Sequence, residues 1–161
     1  MSASNLIRLG GLAAMVCSVA WVASGRWLET PMFTLLVVGV MAAIAALYAL
    51  QREHYGMRFL VALASLMAFV GVAFLGGMPY MGSIIFPVVG LLLATVGVFA
   101  LAIVTLAARV VPWWVGVALI AGSPPIVLVF LPLVGVAWAL VGYGVFRAAG
   151  RGRTERPSRV R

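Results

Sequence analysis

Long apolar runs, none interrupted by a charge, are what most restrict the folds open to this chain. They cover residues 9–23, 32–50, 59–75, 84–108 and 110–146. A crossing of the hydrocarbon core takes about 20 apolar residues as a helix. Runs of this length mark membrane-spanning helices rather than the interior of a soluble domain. Composition agrees, since 65% of the 161 residues are hydrophobic and 9% are charged. A soluble domain carries about 25% charged residues because its surface must meet water. An all-α integral membrane bundle is the expected fold.

The spans predict helices over about 6–24, 31–51, 57–76 and 83–108 within a single domain, 1–147. The first run also has the form of a signal peptide, but its length and the helix that follows at once favour a retained span. The last run, 110–146, would make one helix roughly 55 Å long, too long for a core about 30 Å thick. Two crossings only just fit. The natural break is Gly122-Ser123-Pro124-Pro125, where Gly122 ends one helix, Ser123 caps the next, and the prolines occupy its first turn. Helices over 110–122 and 125–147 result, with a kink expected at Pro132. A turn displaced toward Leu131 and Pro132 is the alternative.

Charge decides between five crossings and six. The net charge of +8 rests on eleven Arg, opposed by three Glu (Glu29, Glu53, Glu155), with no Lys and no Asp. Positive residues accumulate on the cytoplasmic side. With six helices the 51–58 loop, Arg109, the N-terminus and the Arg-rich tail all share one face. Five would place the tail outside. Both termini are therefore expected in the cytoplasm, with the turn at 122–125 facing the exterior. The aromatic residues divide accordingly, Trp21, Trp27 and Tyr80 toward the outer surface and Tyr48, Tyr55, Trp113, Trp114 and Tyr143 toward the inner one.

The stretch Val141-Gly142-Tyr143-Gly144 shares four letters with the potassium-channel filter. A filter needs an inner helix after it, and here Arg147 opens the polar tail three residues later. The leading Thr is replaced by Leu140. These glycines read as sites of close helix contact, with Tyr143 as an interfacial anchor. Small pairs at Gly39/Ala43, Gly90/Ala94 and Ala118/Gly122 read the same way.

No catalytic, cofactor-binding or metal-binding residue is expected. The apolar runs within the proposed spans contain no ionisable group of the kind that marks proton relays or ion coupling. One His and no Asp cannot build a hydrolytic metal centre within one chain. Ser18, Ser65, Ser83 and Ser123 have no helix-borne His as base. The densest polar cluster, Arg52-Glu53-His54-Tyr55 with Arg58, reads as a solvated turn that sets orientation, or as a grip for a lipid head group.

The tail, 148–161, is too polar to order itself. With Arg147 it supplies Arg151, Arg153, Arg156, Arg159 and Arg161 as candidate contacts for anionic lipid at the cytoplasmic leaflet. Nucleic acid is not expected as a partner, because no aromatic residue is interleaved to stack on bases.

The stretch "RVVPWWVGVALIAG", with the start "IRLGGLAAM" and the finish "GYGVFR", resembles a group of small bacterial multi-spanning membrane proteins. The resemblance implies a six-helix membrane protein and supplies no activity. Two functions remain as expectations. One is a non-catalytic subunit or scaffold that packs against a membrane-protein partner or a second copy. The other is a carrier or pore for an uncharged or lipophilic solute, built on the broken region 122–132.

Overall fold

Glycine and proline punctuate the chain where the sequence pattern requires. The computed structural model describes residues 3–26, 29–52, 58–77, 85–124 and 131–151. Among these residues there are six helices and no strand: α1 (Ala3–Ser24), α2 (Thr30–Gln51), α3 (Arg58–Gly77), α4 (Ile85–Ala108), α5 (Trp113–Ala121) and α6 (Leu131–Arg151). Pro31 sits in the first turn of α2, where its missing N–H is harmless. Gly25 follows α1 at φ +62°, a left-handed position that glycine takes without strain. Arg109 follows α4 at φ +52° and does carry that strain.

The all-α bundle is present. Five of the six helices are long and apolar enough to cross a membrane, α5 being the exception. The 22 residues of α2 make about 33 Å of helix, a match for the hydrocarbon core. The nine residues of α5 make about 14 Å, half a crossing. It starts later than 110, because Pro112 stands at its N-cap. At the other end of the chain α6 continues four residues beyond 147. Ala149 is buried there and Gly150 lies against the Arg8 guanidinium, which gives this last turn something to pack on.

Glycine contacts fix the order and direction of the helices. A Cβ built on Gly10 would meet Ala42 and Ala46 of α2, and one on Gly39 would meet Ala14 and Cys17 of α1. Residues early in α1 thus lie beside residues late in α2, so the two are antiparallel. The same reading holds for α2 with α3 (Gly76 on Val37), α3 with α4 (Gly71 on Gly90 and Ala94, Gly97 on Ala68), and α4 with α5 (Gly116 on Leu106). It also holds for α5 with α6, where Gly144 meets Trp114 and Val115 and Gly122 meets Trp138. Finally α6 returns to α1, with Gly142 on Gly11 and Gly135 on Trp21 and Val22. The helices form an up-and-down ring closed by α6 against α1, with α6 also touching α2.

Every helix contributes to one buried cluster, which includes Trp21, Ile44, Leu47, Ala68, Val98, Leu101, Leu119, Trp138 and Val141. Wide outward faces such as Leu63 and Leu66 of α3 or Leu92 and Ile103 of α4 remain exposed. A soluble protein would bury these, and in a bilayer they meet lipid tails. The helices fit a membrane-embedded protein.

Candidate functional site: a cationic end and a broken helix

An even number of antiparallel helices returns the chain to the end where it began. The start of α1, the end of α2, the start of α3, the end of α4 and the end of α6 therefore share one end of the bundle. Arg8, Arg52, Arg58, Arg109, Arg147 and Arg151 lie at these positions. The opposite end has Arg26, and its guanidinium lies 3.6 Å from the Glu29 carboxylate. Both partners of that pair are exposed, so it adds little stability, but it leaves this end without net charge among the described residues. Arg8 is held across the end of α6, its Cζ 5.9 Å from the centroid of the Phe146 ring. A cation over an aromatic face near a helix C-terminus is favoured on both counts. Arg153, Arg156, Arg159 and Arg161 lie outside the described residues, as do Glu53, His54 and Tyr55.

The fifth helix ends inside the bundle. The Gly122 N–H donates to the Ala118 carbonyl at 2.8 Å and the Ser123 N–H to the Ile120 carbonyl at 3.1 Å, which tightens the last turn. The Gly122 carbonyl, freed by the break, accepts from the Trp138 indole N–H at 3.0 Å. A buried carbonyl without such a donor would cost about 1–3 kcal/mol. Gly122, Ser123 and Pro124 are all buried, so the turn expected at this point is covered by protein. α5 is nine residues long, and Trp138 of α6 lies over its end at Gly122. Pro125 lies outside the described residues. Pro132 falls in the first turn of α6, a position where proline is tolerated.

Two more polar groups belong to this layer. The contacts of Gly135 with Trp21 and of Gly142 with Ala14 bracket Trp138 on α6 and Ser18 on α1, which sets both at one level by register. Ser18 is six residues from the end of α1, about 9 Å inside the bundle. The hydroxyls of Ser18 and Ser123 are buried and lack a hydrogen-bond partner. Trp21, expected at the outer surface, is fully buried instead, its ring lying over Gly135. The absent side chain at Gly135 makes the room.

The Gly142-Tyr143-Gly144 stretch packs helices together. Gly142 faces the Gly11 backbone, Gly144 faces Trp114, and Tyr143 points outward with its ring stacked on Trp114 at 6.2 Å. Of the three small pairs, Gly39 and Ala43 are buried, with Gly39 facing α1. Gly90 and Ala94 face α3, and Gly122 faces α6. Gln51, which sequence reading assigned to the edge of a solvated loop, is fully buried and donates from Nε2 to Thr105 Oγ1 at 2.7 Å. The signal was available, since Ile44, Leu47 and Gln51 share one helix face, as do Val98, Leu101 and Thr105.

Among the described residues no three His, Cys, Asp or Glu side chains come together in a metal-binding group. Comparison with protein families, with curated proteins and with solved structures found no match.

Proposed function

We propose that the chain is a non-catalytic integral membrane protein, a subunit or scaffold that packs against other membrane helices and rests its cationic end on the anionic cytoplasmic leaflet. The observation that supports this reading is the segregation of charge among the described residues: six Arg at the end shared by the start of α1 and the end of α6, against a neutralised Arg26–Glu29 pair at the other. By the positive-inside tendency that end faces the cytoplasm. Each Arg near an anionic surface contributes about 1 kcal/mol, decaying within a Debye length of about 8 Å. The partner is a membrane protein or a second copy of this chain. Reporters fused after Arg161 and inserted at Gly82 test the orientation, and opposite readouts, cytoplasmic and exterior, are expected. Affinity purification after mild solubilisation tests the rest, and a stoichiometric partner or a homo-oligomer is expected. A protein that purifies as a lone monomer sinks the scaffold reading.

A carrier for an uncharged solute is the second reading. It is favoured by the buried end of α5, where the Ser18 and Ser123 hydroxyls lack partners. Interrupted helices elsewhere bind solutes at such breaks. Flux of small uncharged solutes into vesicles containing the pure protein separates the two, since a scaffold alone gives none.

A further inference from the structure

The outward face of α2 is built of small residues near the cationic end. Ala42, Ala45 and Ala49 form a low ridge there, and an apolar groove runs along each flank. One, of about 370 Å³, lies between α2 and α3 and is lined by Ile44, Tyr48, Ala62, Ser65 and Phe69. The other, of about 250 Å³, lies between α1 and α2 and is lined by Leu6, Ile7, Gly10 and Ala46. Ala45 lines both. The larger groove falls within the range of about 300–1,000 Å³ typical of ligand sites.

Two further observations say what fits. Arg52 follows α2 directly and Arg58 begins α3, which puts two arginines at the end of the bundle toward which the larger groove runs, one turn beyond its lining residues Tyr48 and Ala62. Inside the larger groove Ser65 is buried, and its hydroxyl has no hydrogen-bond partner. It sits seven residues, about 10 Å, below Arg58 along α3. An occupant that meets all of these groups carries negative charge toward the arginines, a hydrogen-bonding group deeper in the groove at Ser65, and two apolar tails that straddle a ridge of alanines. We propose that this face of α2 binds one anionic diacyl phospholipid. Its phosphate lies over Arg52 and Arg58, an ester carbonyl accepts from Ser65, and one acyl chain fills each groove. The alanine ridge matters because any larger side chain at 45 would hold the two chains apart. A single anionic lipid at a defined seat is a different claim from general attraction to a charged leaflet. The inference rests on the proposed meeting of the cationic end with anionic lipid, but not on which side of the membrane that is.

Native mass spectrometry of the full chain in micelles tests it, because micelles have no sidedness and the result stands apart from the orientation reporters. The probes are dioleoyl phosphatidylglycerol and dioleoyl phosphatidylcholine. One phosphatidylglycerol adduct is expected to survive detergent stripping, about tenfold favoured over phosphatidylcholine. Ala45→Trp, on an outward position that leaves the core untouched, removes the adduct. Arg52→Gln with Arg58→Gln leaves the grooves intact and abolishes the preference for the anionic lipid. Ser65→Ala weakens retention of both lipids. Truncation after Arg151 changes nothing. Equal retention of the two lipids, an adduct that survives Ala45→Trp, or loss of preference on truncation overturns the proposal. So does a protein dimer in place of the lipid adduct.

Discussion

Gly142→Ala offers a test in which two effects have opposite signs. In a helix, Ala is preferred to Gly by about 0.5–1 kcal/mol because Gly loses more backbone freedom. If α6 met only lipid at this position, the substitution would stabilise the protein. In the structure a Cβ at 142 would stand 2.6 Å from the Gly11 carbonyl oxygen, 2.9 Å from Ala14 Cβ and 2.9 Å from the Met15 nitrogen. Two of these are backbone atoms and cannot rotate away. Restoring ordinary contact at 3.4 Å requires α1 and α6 to move apart by roughly 0.8 Å. Overpacking of this kind costs about 1–3 kcal/mol, and the contacts on either side, at Gly135 and Gly11, are loosened with it. The steric effect is the larger, so net destabilisation of about 1–2 kcal/mol is expected. The measurement is reversible unfolding in mixed micelles, with Val19→Ala on the outward face of α1 as control. Gly11→Ala should behave like Gly142→Ala, since a Cβ there meets the Gly142 carbonyl at 2.7 Å. The double substitution should cost less than the two singles combined, because the first has already parted the helices. A stabilised Gly142→Ala protein, or two effects that simply add, would refute the closed ring.

Thr105→Val leaves the buried Gln51 amide without its acceptor and should lower stability by about 1–3 kcal/mol, while Gln51→Leu with Thr105→Val should recover most of it. A double variant no more stable than the single refutes that account. Trp138→Phe strands the Gly122 carbonyl, so it should destabilise by a similar amount. It should also speed thiol labelling of Ser123→Cys in a Cys17→Ala background, a site otherwise shielded by burial; unchanged labelling counts against the interior end of α5. Arg109→Gly relieves a left-handed backbone position and should raise the unfolding midpoint, whereas Arg109→Val should lower it. Equal midpoints would mean the positive φ is not held in the membrane.

Architecture was legible in this sequence because membrane insertion is governed by summed hydrophobicity, which is additive along the chain. The spans, the small-residue contacts at Gly39, Gly90 and Gly122, and the rejection of a filter at Gly142 all followed from local composition. What escaped was set by neighbours far away in sequence. Trp21 carries the composition of an interfacial anchor, and only Gly135 on the opposite helix gives it a pocket. Gln51 borders a charged loop, and it is Thr105 on α4 that accepts from its buried Nε2. The turn at Gly122 has the residues of an exposed hairpin, and it is covered by Trp138, 16 positions further along the chain. The two grooves beside Ala45 could not be anticipated, because they belong to three helices at once.

The contact between Gly11 and Gly142 also bears on how the chain is made. The two residues are 131 positions apart in the chain, so α1 is in the bilayer well before its partner exists. At about 5–20 residues per second, roughly 7–26 seconds separate the synthesis of the two. Through that interval the glycine face of α1 has only α2 to meet, and the remainder lies open to lipid or to another protein's helix. Closure of the ring thus waits for α6, 131 positions after Gly11. A chain stalled or truncated before α6 would present a backbone-exposing stripe suited to helix capture.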